Sequence, residues 1–77
     1  MPKIFEWNGF RFFFFSDEGS PVEPCHVHVS KGSMYAKIWL EPEVHIDKCY
    51  GMNSSQINAL INKIEEKKEL IKEKWNE

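Results

Sequence analysis

The sequence lacks a hydrophobic run that could cross a membrane, which would need about 20 apolar residues. Glu6, Asn8 and Arg11 interrupt the apolar pattern near the N-terminus, so a secretion signal is not expected either. An excess of basic residues is also missing, because 10 Lys and Arg face 12 Asp and Glu for a net charge of −2. This balance argues against a general electrostatic attraction to nucleic acid but allows a locally basic site. We therefore expect a cytoplasmic protein with no membrane association.

Cysteine is scarce as well, since Cys25 and Cys49 are the two in the chain. Their spacing matches no zinc motif, and in the cytoplasm they would be reduced thiols. The 77 residues predict a single domain over 1–77, near the lower size limit for a self-sufficient core. A homodimer or a partner protein would help to stabilise so small a domain.

What the chain has instead is aromatic residues, at 14% of the sequence. Asn8-Gly9 separates two aromatic segments and predicts a two-residue hairpin turn, because this turn needs positive φ at both positions. The turn would set Trp7 opposite Phe10 and Phe5 opposite Phe12. One face of the hairpin would then carry Phe5, Trp7, Phe10, Phe12 and Phe14, and the other Ile4, Glu6, Arg11, Phe13 and Phe15.

Three further strands are predicted at residues 25–30, 34–40 and 44–50. A tight turn at Lys31-Gly32 would set Val29 opposite Met34. Within the first of these strands His26 and His28 are two residues apart, so both imidazoles leave one face of the sheet, roughly 7 Å apart at the Cα atoms. We call this side of the sheet the His face; it is predicted to be exposed and to group His26, His28, Tyr35, Lys37 and Trp39.

A C-terminal helix is predicted to begin at Asn53 or Ser54, because Asn53 with Gln56 forms a capping-box pattern. One apolar stripe of the helix then consists of Ile57, Leu60, Ile61, Ile64, Ile71 and Trp75. The lysine-rich last turns are expected to overhang the sheet. The sequence therefore predicts an α+β fold, an antiparallel β-meander of four or five strands packed by one C-terminal helix.

The His face suggests acid–base chemistry. Two histidines, one neutral and one protonated, could cleave an RNA phosphodiester, with one taking the 2′-OH proton and the other protonating the leaving oxygen. Lys37 could stabilise phosphate charge, and Tyr35 or Trp39 could stack on a base. The candidate catalytic residues are His26, His28, Lys37 and Tyr35. A structure that buried one imidazole against the helix would contradict this hypothesis.

Two solvated polar positions on an amphipathic strand remain the simpler interpretation of the histidine pair. Metal binding is another, with His45 or Asp47 completing the ligands, although two sure ligands fall short of the usual three or four, so no metal site and no cofactor are assigned. Cys25 should be buried on the opposite face and inert. Phe13, Phe15 and Trp39 on the His face favour a non-enzymatic protein-interaction module instead.

The chain resembles a family of short bacterial and archaeal proteins, the domain of unknown function numbered 4160. The resemblance rests on the opening Met-Pro-x-Ile, the hairpin at Gly9, the segment Pro24–His28 and the helix that ends in Trp75. The usual family motif is Pro-Pro-His-Phe-His; here Cys25 replaces the second proline and Val27 the aromatic.

The resemblance implies a toxin-like member of a toxin–antitoxin pair, with a small antitoxin-like protein as its partner. It implies no established chemistry for the motif. RNA is a candidate target from the residues alone, and a homodimer is the alternative to a partner protein.

Overall fold

The computed structural model describes residues 3–14 and 24–76. Five strands form one antiparallel sheet in the order β1-β2-β3-β4-β5, and two helices follow. The α+β meander predicted from the sequence is confirmed. The elements are β1 (Lys3–Trp7), β2 (Phe10–Phe13), β3 (His26–Lys31), β4 (Met34–Trp39), β5 (His45–Tyr50), α1 (Ser54–Glu66) and α2 (Lys68–Trp75).

The first hairpin turns at Asn8 and Gly9, which have φ of 53° and 79°. Both values are positive, as a two-residue turn of this type requires. Trp7 pairs with Phe10, and Phe5 with Phe12, so the predicted register is confirmed. It fails at Ile4, where a bulge sets Lys3 opposite Phe13. The bulge turns Ile4 toward the core instead of the His face.

The turn between β3 and β4 differs from the prediction by one residue. It lies at Gly32-Ser33, so Val29 pairs with Ala36 and not with Met34. The register therefore shifts by two residues. Because side chains alternate with a period of two, an even shift leaves every face assignment unchanged.

A second bulge, at Asp47 in β5, changes which residues of that strand share the His face. Before the bulge, His45 pairs with Trp39; after it, Lys48 pairs with Lys37 and Tyr50 with Tyr35. Without the bulge the outward set would have been 45, 47 and 49. Lys48 and Tyr50 are therefore added to the His face by an irregularity that the sequence does not announce.

The core fills the space between the helices and the sheet face opposite the histidines. Residues of β2, β3 and β4 supply its centre, and both helices close it. Its fully buried members include Phe12, Val27, Val29, Ala36, Ile38, Leu40, Leu60, Ile64 and Ile71.

The C-terminal helix begins as predicted and then divides. The capping box is present, with the Asn53 side chain accepting from the Gln56 backbone N–H at 2.8 Å. The helix is interrupted at Lys67, where φ is −100° and ψ is 13°, so two helices replace the predicted one. The last turns do not overhang: Ile71 is fully buried, and Trp75 packs against Phe14 with ring centroids 5.1 Å apart.

Neither helix in the described parts of the chain is long and apolar enough to span a membrane.

The two neighbouring isoleucines of α1 allow a test of where the core ends. Ile64 is fully buried, whereas Ile61 lies half-buried at the margin. Ile64→Ala should lower the free energy of unfolding by about 2–5 kcal/mol, and Ile61→Ala by clearly less, because less of that side chain leaves water on folding. Urea denaturation of both variants measures the difference. Equal losses would contradict the packing described.

Candidate functional site

The two histidines of β3 project from the same face of the sheet, as predicted. Their rings lie 5.3 Å apart in a T-shaped arrangement. His26 pairs with Trp39 and His28 with Lys37 on β4, so the predicted grouping on the His face is also confirmed.

The predicted exposure of the pair was wrong. His26 is 0% exposed and His28 2%. β3 is the central strand of five, and large side chains stand directly opposite the histidines on both neighbouring strands: Phe13 on β2, and Lys37 and Trp39 on β4. Phe13 and Lys37 flank His28, while Trp39 of β4 and Trp75 of α2 cover His26, so water is excluded from both imidazoles.

His26 is held by a backbone carbonyl and two indole rings. Its Nδ1 lies 3.0 Å from the Pro24 carbonyl oxygen, and because that oxygen only accepts, Nδ1 carries the hydrogen. The Trp39 ring lies 4.7 Å away and the Trp75 ring 5.0 Å away, centroid to centroid. His26 therefore joins the end of α2 to the end of the sheet where β3 begins.

His28 shares a hydrogen bond of 2.7 Å between its Nδ1 and the Tyr35 hydroxyl. Its ring lies roughly parallel to the rings of Phe13 and Tyr35, at centroid distances of 5.7 Å and 6.0 Å. Tyr35 in turn lies beside Tyr50 at 6.1 Å, with 18° between the planes. A row of rings thus crosses the sheet from β2 to β5.

Lys37 is near the histidines but is already engaged. Its Nζ lies 3.5 Å from Asp47 Oδ2 and 4.6 Å from the centroid of the Trp39 ring. The four predicted catalytic residues are therefore brought together: His28 contacts Tyr35 and faces Lys37, and His26 contacts His28.

The arrangement nevertheless argues against an acid–base pair that acts on RNA. A general acid or base must reach the proton that it transfers, within about 3 Å or through one water. With 0% and 2% of their surface exposed, the two imidazoles do not reach a phosphodiester in this conformation. His26 is also buried against Trp75 of α2, and such burial against the helix contradicts the hypothesis. The pair is better described as a polar element of the packing.

Metal binding by the His face has no geometric support either. Of the two predicted further ligands, Asp47 pairs with Lys37, and His45 faces His26 only across Trp39, because the three residues lie in one row on β3, β4 and β5. Its Nδ1 lies 2.7 Å from the Glu43 carbonyl oxygen. Within residues 3–14 and 24–76, no three His, Cys, Asp or Glu side chains lie together as a metal site would require.

Cys25 is buried on the core side, as expected. Burial and, second, the Glu41 carboxylate raise the pKa of its thiol from 9.0 to about 11. The Glu41 carboxylate also accepts the Cys25 backbone N–H at 3.4 Å. The thiol is therefore neutral and a weak nucleophile at physiological pH.

The apolar excess predicted on the His face is smaller than the sequence suggests. Phe13 and Trp39 are half-buried, and Phe15 lies outside the described residues. In the described parts of the chain, Tyr50 is the one large apolar side chain that is mainly exposed, at 58%. Sequence reasoning missed Tyr50 and Lys48, which reach this face through the bulge, and Trp75, which was assigned to the apolar stripe but not to the histidines.

The family described as Domain of unknown function (DUF4160) matches residues 9–76 of the chain. No curated protein and no solved structure matches the chain.

The burial of His26 has a consequence for stability. His26→Ala should lower the free energy of unfolding by about 2–3 kcal/mol, because the substitution leaves a cavity between Trp39 and Trp75. His45→Ala is the matched control: this histidine is exposed, and its loss should cost no more than about 0.5 kcal/mol. Thermal and urea unfolding measure both. Equal stability of the two variants would mean that His26 does not hold α2 to the sheet.

The two thiols should differ in reactivity. At pH 8, iodoacetamide should alkylate Cys25 in the folded protein at least about 100-fold more slowly than in urea, since a thiol with a pKa near 11 carries little thiolate. Because folding raises this pKa, the contribution of Cys25 to stability is complete below about pH 9 and is lost as the pH rises through 11. Mass spectrometry of the labelled peptides resolves Cys25 from Cys49. Equal rates for Cys25 with and without urea would contradict its burial.

Proposed function

The chain belongs to the DUF4160 family, and from this premise we propose that it is the toxin-like member of a toxin–antitoxin pair that acts in the cytoplasm by binding single-stranded RNA. The toxin-like role comes from the resemblance. RNA binding comes from the residues on the open part of the His face. RNA binding is proposed in place of RNA cleavage because both histidines are buried.

The observation that carries the proposal is the tyrosine pair of β4 and β5. Tyr50 is 58% exposed and lies beside the half-buried Tyr35. Exposed aromatic rings on a sheet are the surfaces on which unpaired bases stack, at about 1–3 kcal/mol per base. His28 supports Tyr35 from the other side through their hydrogen bond, which fixes the tyrosine's position on the face.

Cationic groups surround the two tyrosines. Arg11 is exposed in the same row of the sheet, directly opposite Glu6, and the exposed Lys48 stands directly opposite Lys37. Two lysines directly opposite each other destabilise a sheet unless an anion offsets their repulsion. Asp47 engages Lys37, so Lys48 is the ammonium best placed for a phosphate. Lys48 therefore supplies a local positive charge in a protein whose net charge is −2.

The RNA proposal predicts that a fluorescein-labelled oligouridylate binds the purified chain saturably in a fluorescence anisotropy titration. Tyr50→Ala should weaken binding about 5- to 150-fold through the loss of one stacked base. Lys48→Glu should weaken it and reduce the slope of log Kd against log salt concentration by about 1. Both side chains are exposed, so neither change should unfold the protein.

Lys67→Glu is the control for this titration. Lys67 lies at the junction of the two helices, on the side of the sheet opposite the His face. The substitution makes the same charge change there and should leave RNA binding unchanged. Absence of saturable binding, or the same loss in Lys67→Glu as in Lys48→Glu, would contradict the proposed site.

For the toxin-like role, induced expression in a bacterium should slow growth and Tyr50→Ala should relieve the effect. Unchanged growth with the wild-type chain would contradict that role.

A further inference from the structure

A groove on the other side of the sheet is independent of the proposed RNA site. It lies between the edge strand β1 and the junction of α1 and α2, and it has a volume of about 240 Å³. We propose that this groove binds an extended acidic segment of a partner protein, which pairs with β1 as an additional strand. Phe5, Glu6, Trp7, Lys63, Lys67 and Leu70 line the groove.

The backbone of β1 offers hydrogen bonds to such a segment. Among the described strands, β1 has a neighbour on one side only. Trp7 and Phe10 flank the two-residue turn and form a hydrogen-bonded pair. Hydrogen-bonded and non-hydrogen-bonded pairs alternate along the ladder, so Glu6, one residue before Trp7, directs its N–H and C=O away from β2. An open edge of this kind is a template for strand addition. The bulge at Ile4 limits the pairing to a short stretch around Phe5–Trp7.

The side chains of β1 give the groove an apolar floor. Phe5 and Trp7 are two residues apart, so both rings face the helices, and both are half-buried. Leu70 of α2 completes the apolar lining. A strand laid along β1 places every second side chain over these three residues. An apolar residue at one such position would remove this surface from water.

The charge of the groove selects an acidic segment. Lys63 and Lys67 are four residues apart, on the same side of the helix end. Lys63 bonds Glu66 at 3.0 Å and lies 5.0 Å from the centroid of the Trp7 ring. Lys67 has no ion pair within the described residues. Glu6 lies between Phe5 and Trp7, so its side chain leaves the opposite face of β1, where Lys3 bonds the carboxylate at 2.7 Å.

The test uses a labelled peptide of about nine residues, mainly threonine, with a valine and a glutamate two positions apart. This spacing places both side chains on one face of a strand. Anisotropy should show saturable binding to the wild-type chain with a Kd below about 1 mM. Lys67→Glu should weaken binding at least about tenfold, whereas a peptide with lysine in place of the glutamate should bind Lys67→Glu better than it binds the wild type.

Two readouts separate strand addition from other modes of binding. Hydrogen exchange at the Glu6 amide should slow at least about tenfold when the peptide is present, and a peptide with N-methylated backbone amides should not bind. No saturable binding, binding without protection of Glu6, or failure of the charge exchange at Lys67 would overturn the proposal. Protection of Glu6 that rises with protein concentration without peptide would also overturn it, because it would assign the edge to a second copy of this chain.

The result of the peptide-binding test does not depend on whether the chain binds RNA. Lys67→Glu should lose the peptide and keep the RNA, and Tyr50→Ala should lose the RNA and keep the peptide. Loss of both ligands in either variant would mean that the two sites are not independent.

Discussion

The burial of β3 on both of its faces is the constraint on which the rest of the structure depends. Val27 and Val29 are fully buried toward the helices, and His26 and His28 are buried on the opposite side. A strand buried on both faces usually carries apolar residues on each. Here one face carries imidazoles, so their polar atoms need partners inside the protein. Pro24 and Tyr35 supply them. Tyr35, as the partner of His28, also forms part of the exposed surface beside Tyr50.

This arrangement gives the histidines a structural part in a surface they do not reach. His28 holds Tyr35, and Tyr35 lies against the exposed Tyr50. His26 contacts Trp39 and receives Trp75 from α2, which connects the C-terminus to the end of the sheet. A buried polar network with every member bonded favours one arrangement of the groups around it. The buried His28 thus holds Tyr35, and through it the neighbouring Tyr50, in place on the open part of the His face.

The two proposed surfaces lie on opposite sides of the sheet. Arg11, Lys48 and the tyrosines lie on the His face, whereas Lys63 and Lys67 lie by the groove beside β1. Each surface combines aromatic rings with ammonium groups in a chain of net charge −2. For a toxin-like protein, two separate surfaces would let a partner bind without competing directly for the RNA.

The sequence by itself determined the local structure. Asn8-Gly9 required positive φ and so set the hairpin; Asn53 with Gln56 set the start of α1; and the period of two placed both histidines on one face, even with the β3–β4 turn misplaced by one residue. Exposure was decided by tertiary structure. Whether a strand face meets water depends on which side chains lie opposite it and on what the C-terminal helix reaches. The helix breaks at Lys67 without a side-chain cap, and Trp75, beyond the break, contacts His26; the bulge at Asp47 sets Lys48 and Tyr50 on the His face. Both are departures from periodicity, and pattern reasoning, which assumes periodicity, cannot see them.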